Sequence, residues 1–76
     1  MVDKITKRQY EEIEEAFTYG SIDEFHRILA EYTGISTASY TGYQYFIGED
    51  YVGDSNDFDL LDVLKNAYIE VVEDGN

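Results

Sequence analysis

The sequence predicts an α+β domain: two N-terminal helices, a small antiparallel β-sheet, a short third helix and a C-terminal strand, in the order ααββαβ. Three observations predict it. Residues 6–34 contain two capping signals, each followed by an apolar stripe of helical period and closed by a glycine. Residues 36–54 switch to Ser, Thr, Tyr and Gly, a composition that suits strands and tight turns. A run of capping residues at 54–57 then opens a short apolar stripe, which gives way to a β-branched segment. The 76 residues are read as a single domain, close to the lower size limit for a self-sufficient core.

The first helix is expected over residues 7–19. Thr6 and Gln9 form a capping box, and Ile5 with Tyr10 has the spacing of a hydrophobic staple. Tyr10, Ile13 and Phe17 lie on one face with Ala16 beside them, and Gly20 ends the run. Lys7–Glu11 and Arg8–Glu12 are i,i+4 pairs in the weaker, basic-first order. The second helix is expected over 22–33. Ser21 and Glu24 cap it, Ile22, Phe25, Leu29 and Tyr32 share its apolar face, and Gly34 stops it, with Ile35 placed for a Schellman-type contact.

Tyr43–Ile47 reads as a strand, Gly48–Asp50 as a three-residue hairpin loop, and Tyr51-Val52 as the returning strand, with Ser36–Tyr40 as a further strand candidate. A third helix is expected over 57–66 from Phe58, Leu61 and Leu64. Tyr68–Val72 is the closing strand. The core expected from these elements includes Ile13, Phe17, Phe25, Leu29, Phe46, Leu61, Leu64 and Ile69.

Composition narrows the function class. No cysteine is present, so neither a disulfide nor a thiolate metal site contributes. The single histidine, His26, sits at the edge of a helical face with no motif beside it and is read as a partly exposed surface residue. No Walker-type loop, GxGxxG or GxSxG occurs, and a non-enzyme without cofactor is expected. Read as a calcium loop from Asp54, the chain offers Asp and Asn at positions one and three. It then places Phe58 at five, Asp59 where glycine belongs and Lys65 where a bidentate Glu belongs, so no metal is assigned. With no apolar leader and no membrane-spanning run, a cytoplasmic protein is expected, the host cytoplasm if it is phage-encoded.

Charge is the most informative quantity. Five Lys and Arg stand against seventeen Asp and Glu, a net charge of −12. Such a surplus opposes compaction through self-repulsion and matches a strongly basic partner. Glu49, Asp50, Asp54, Asp57, Asp59 and Asp62 fall within fourteen residues with no base among them. Asp57 and Asp59 are partly explained by capping; Glu49, Asp50 and Asp54 are not. A second acidic set, Glu11, Glu12, Glu14 and Glu15, lies on the exposed side of the first helix. Eight Tyr exceed what so small a core uses, so some of Tyr40, Tyr43, Tyr45 and Tyr51 are expected at an interface. The expected partner-binding residues are Glu49, Asp50, Asp54, Asp57 and Asp59, with Tyr45 and Tyr51 as aromatic anchors.

Small size, absence of cysteine, large negative charge, Tyr-rich strands and an α+β order together resemble phage-encoded inhibitors of host nucleic-acid enzymes, the anti-CRISPR proteins and other DNA mimics. No single motif carries that resemblance. It implies occupation of a basic nucleic-acid channel, a CRISPR effector nuclease being the leading case, by a monomer or homodimer that does not itself bind nucleic acid or membrane. Acidic immunity proteins against nuclease toxins are similar on the same grounds. An accessory protein whose charge serves solubility is the remaining alternative.

Overall fold

The computed structural model describes residues 2–74 and has the predicted α+β class. The first helix, α1 (Lys7–Tyr19), and the second, α2 (Ile22–Thr33), have the expected bounds, because local signals set both ends. Thr6 Oγ1 accepts the Gln9 N–H at 3.1 Å while Gln9 Oε1 accepts the Thr6 N–H at 2.9 Å, completing the capping box. Ser21 Oγ accepts the Glu24 N–H at 3.1 Å. Gly34 adopts φ 79°, the left-handed geometry that closes α2. The next amide, that of Ile35, donates to Thr33 Oγ1 at 3.1 Å instead of closing a Schellman bond, and the Ile35 side chain is fully buried.

Three antiparallel strands follow as a meander, β2 (Ser36–Tyr40), β3 (Gly42–Ile47) and β4 (Asp50–Asp54). Ile47 pairs with Asp50, so the β3–β4 loop has two residues, Gly48-Glu49, and not the expected three. Gly48 takes φ 62° at the first loop position, where a II′ hairpin requires glycine. A bulge interrupts this ladder: Tyr45 pairs with Gly53 but Phe46 pairs with Tyr51, leaving Val52 as the extra residue. Asn66 Nδ2 donates to the freed Val52 carbonyl at 3.1 Å, tying the third helix to the bulge.

Two elements depart from expectation. The third helix, α3 (Leu60–Asn66), starts three residues late, because Ser55–Asp57 form a 3-10 turn and Phe58 and Asp59 are extended. That shift puts Leu60, Val63, Leu64 and Ala67 on the buried face and turns Leu61 outward, 57% exposed. The C-terminal strand, β5 (Glu70–Val72), begins two residues late, because Tyr68 and Ile69 complete the α3 cap. It pairs in parallel with an N-terminal strand absent from the expectation, β1 (Lys4–Thr6), in the register Lys4↔Glu70.

The core draws on every layer: Ile5 from β1, Ile13 and Ala16 from α1, Phe25 and Leu29 from α2, Tyr45 and Val52 from the sheet, Val63 and Leu64 from α3, and Ile69 before β5. Two expected core residues are corrected besides Leu61. Phe46 lies on the outer side of the hairpin, its ring 5.9 Å from that of Tyr51. Phe17 meets Phe25 edge-on and Phe58 at a tilt, at centroid distances of 5.1 and 5.0 Å, yet leaves about half its surface (51%) in solvent.

Candidate partner-binding surface

The hairpin and the turn after it place the expected site residues in three different situations. Tyr45 is not an interface anchor: it is 1% exposed, ringed by Phe25, Phe58 and His26. The alternation of β3 sends Tyr43, Tyr45 and Ile47 to the core side, and Tyr45 is the deepest of them. Burial pushes its phenol up to about 12. Its hydroxyl oxygen lies 2.8 Å from His26 Nε2; His26 is partly exposed, as expected, and is also tied to the sheet by a hydrogen bond. Burial holds the imidazole below its ordinary value, with Asp23 acting weakly in the opposite direction.

Two of the carboxylates serve the local fold. Asp54 Oδ1 accepts the N–H groups of Asn56 and Asp57 at 3.0 and 3.3 Å, which caps the 3-10 turn and supplies the explanation the sequence reading lacked. Its Oδ2 accepts the O–H of Tyr51 at 2.8 Å. This bond is the main reason the Tyr51 phenol is raised, and it anchors a ring that is 57% exposed. Asp59 Oδ1 accepts the Leu61 N–H at 3.1 Å and caps α3. Glu49, Asp50 and Asp57 remain exposed, and no hydrogen bond or ion pair engages their carboxylates among the described residues.

The α1 face is a further negative surface. Glu11, Glu12, Glu14 and Glu15 are all exposed, and none is in an ion pair among the described residues. Arg8 turns away from Glu12 to meet Asp74 at 3.6 Å, and Arg27 pairs with Glu31 at 3.2 Å. Glu12 accepts the Tyr32 hydroxyl, which fixes its position and raises that phenol. The four glutamates span about 6 Å of helix axis, a mean spacing of roughly 2 Å per charge, near the one per about 1.7 Å of duplex DNA. The last turn of α1 carries no base, so the negative end of the helix dipole adds to the same field. Glu24 extends it across a shallow groove of about 340 Å³ shared with Glu12, Glu15 and Tyr19. Tyr19, 85% exposed, supplies the aromatic surface that the sequence reading assigned to the hairpin.

On the other flank of α1 a second groove, of about 270 Å³, runs to the start of α3 between Tyr10, Glu14, Phe17, Phe58 and Asp59. Burial raises the Tyr10 phenol most, with the neighbouring carboxylates of Glu14 and Asp59 acting in the same direction.

Among the described residues no group of three or more His, Asp or Glu is placed to hold a metal ion, and no helix is long and apolar enough to cross a membrane. Comparisons with protein families, curated proteins and solved structures return no match.

Proposed function

We propose that the protein is a non-catalytic inhibitor that occupies the basic nucleic-acid-binding site of a nuclease in place of nucleic acid, with a CRISPR effector nuclease as the leading case. One observation carries this reading: the unpaired glutamate array of α1, whose linear charge density approaches that of a duplex. The free carboxylates of the hairpin tip, Glu49 and Asp50, are a second acidic patch, and Asp57 adds a further free carboxylate beyond the opposite end of β4. A net charge of −12 over 5187 Å² of surface leaves about one net negative charge per 430 Å². Phosphate is repelled by such a surface and a Lys- and Arg-lined groove is attracted to it, so the partner is the enzyme and not its substrate.

The test is capture from a host lysate on the immobilised protein. Basic nucleic-acid-binding proteins should be retained at low salt and displaced by added oligonucleotide duplex. Two triple variants separate the patches: Glu11→Gln, Glu12→Gln, Glu15→Gln on α1, and Glu49→Gln, Asp50→Asn, Asp57→Asn at the hairpin and turn, the latter sparing both capping aspartates. The α1 set is expected to weaken retention by about tenfold or more and the other set by less. Retention that resists oligonucleotide, or that survives in both variants, excludes mimicry by these carboxylates.

A further inference from the structure

The geometry points to the groove between α1 and the start of α3 as a receptor for one arginine side chain of that basic partner. The inference rests on the reading above and specifies a subsite within it. At about 270 Å³ the groove is smaller than pockets that enclose drug-sized ligands, and it suits a single long side chain. Its wall is aromatic: Phe17 and Phe58 lie 5.0 Å apart, and half of the Phe17 surface is uncovered. Methylene groups of an extended side chain can lie against that surface. Its polar lining is anionic: Glu14 and Asp59 line it beside Tyr10, close enough for both carboxylates to raise the Tyr10 phenol. Asp59 uses Oδ1 for its cap, and no bond engages its Oδ2 among the described residues. Aromatic faces beside carboxylate oxygens match a guanidinium, which stacks on rings and binds carboxylates through a planar fork. An ammonium fits the charge but not the stacking. An arginine stem in the groove covers part of the Phe17 ring that is otherwise open to solvent.

The probe is acetyl-arginine-amide, titrated into the ¹⁵N-labelled 76-residue chain and followed by NMR. Saturable shifts are expected at Tyr10, Phe17, Phe58 and Asp59, weaker ones with the lysine amide, and none with the uncharged citrulline amide. Glu14→Gln and Asp59→Asn should each weaken the apparent affinity by about two- to fivefold. Asn caps a helix as well as Asp, and Glu14 caps nothing, so neither variant should melt below the parent. Shifts spread evenly over Glu11, Glu49 and Asp50 without saturation at the groove, or a double variant that titrates like the parent, overturn the proposal. The titration contains no partner, so an arginine seated in the groove of a protein that retains no nuclease leaves the groove standing and removes the nuclease.

Discussion

His26 Nε2 and the Tyr45 hydroxyl oxygen stand 2.8 Å apart, joining α2 to the central strand of the sheet at the edge of the aromatic core. Phe25, Tyr43 and Tyr45 pack around the imidazole with centroid distances of 5.2, 4.7 and 5.4 Å. The pair places two titrating groups where burial disfavours the charged form of each, and the consequences lie on opposite sides of neutrality.

On the acid side, His26 titrates below its ordinary 6.5 in the folded protein. Between those two values the unfolded chain holds a proton that the folded chain does not, so stability from this group is complete above about 6.5 and falls as pH drops through the folded value. Carboxylate protonation relieves repulsion over a lower range and opposes this trend. The clean measurement is therefore the difference in melting between the parent and His26→Gln, which should change with pH only in that window. On the alkaline side, Tyr45 is raised to about 12, so its contribution is complete below 10 and is lost as pH rises towards 12. Tyr45→Phe should flatten that limb and, by leaving His26 without its partner, destabilise by about 1 kcal/mol at neutral pH. A parent and variant with parallel alkaline curves would show that Tyr45 is not the titrating group.

Gly53 sits against α3 so closely that a Cβ would stand 2.8 Å from Val63 Cγ2. Because Gly53 is the residue opposite Tyr45 at the bulge, the helix there packs directly on backbone. Gly53→Ala should destabilise by about 1–3 kcal/mol, the range for an overpacked core. In a double-mutant cycle with Val63→Ala the two penalties should fall short of additivity, since removing the valine methyl makes room for the new one. Strict additivity would place the strain elsewhere.

These two contacts mark where the sequence is legible and where it is not. The ends of α1 and α2 could be read because Thr6, Gln9, Ser21 and Gly34 act on amides within a few residues. β1 could not: Lys4-Ile5-Thr6 is too short for a period, and its partners lie at the far end of the chain. Burial of Tyr45 was available in principle, since Tyr43, Tyr45 and Ile47 alternate with the more polar Gln44 face. A count of tyrosines against core size pointed the other way and named the wrong ring. The α3 stripe was misphased because Phe58, Leu61 and Leu64 recur at i, i+3, i+6, whereas Leu60, Val63, Leu64 and Ala67 follow the helical i, i+3, i+4, i+7. At the candidate site, the α1 glutamates were legible as a helix face. That Asp54 and Asp59 serve as caps depended on where the turn and α3 began.

Tyr68 has φ 59°, the left-handed conformation, and is 88% exposed. It occupies the glycine position of a Schellman motif: its N–H reaches the Lys65 carbonyl at 3.0 Å, and the Ile69 N–H reaches the Leu64 carbonyl at 2.9 Å. The buried Leu64 and Ile69 stand at the positions of the motif's hydrophobic contact. A non-glycine residue there is strained by about 1–2 kcal/mol, partly offset by the greater freedom that glycine loses on folding. Tyr68→Gly should therefore raise stability by up to about 1 kcal/mol in denaturant titration. A loss would mean that the exposed ring makes a stabilising contact.

Charge repulsion gives the last expectation, and it links stability to the proposed partner surface. Both ion pairs among the described residues are exposed and contribute little, so screening removes little attraction. It removes much more repulsion: Glu11 and Glu15 are like charges at i,i+4, and Glu11–Glu14 and Glu12–Glu15 are like charges at i,i+3. Raising NaCl from low levels should therefore raise Tm, by about 4–8 °C for each kcal/mol relieved. The α1 triple variant, Glu11→Gln, Glu12→Gln, Glu15→Gln, lowers the net charge from −12 to −9. It should melt higher than the parent at low salt and respond less to added salt, while retaining less of the basic partner. A stabilised variant with weakened capture is what a helix face selected against its own stability would give. If Tm falls with salt, or if the variant gains stability and captures as the parent does, the α1 glutamates are a solvated face and the contact with the partner lies elsewhere.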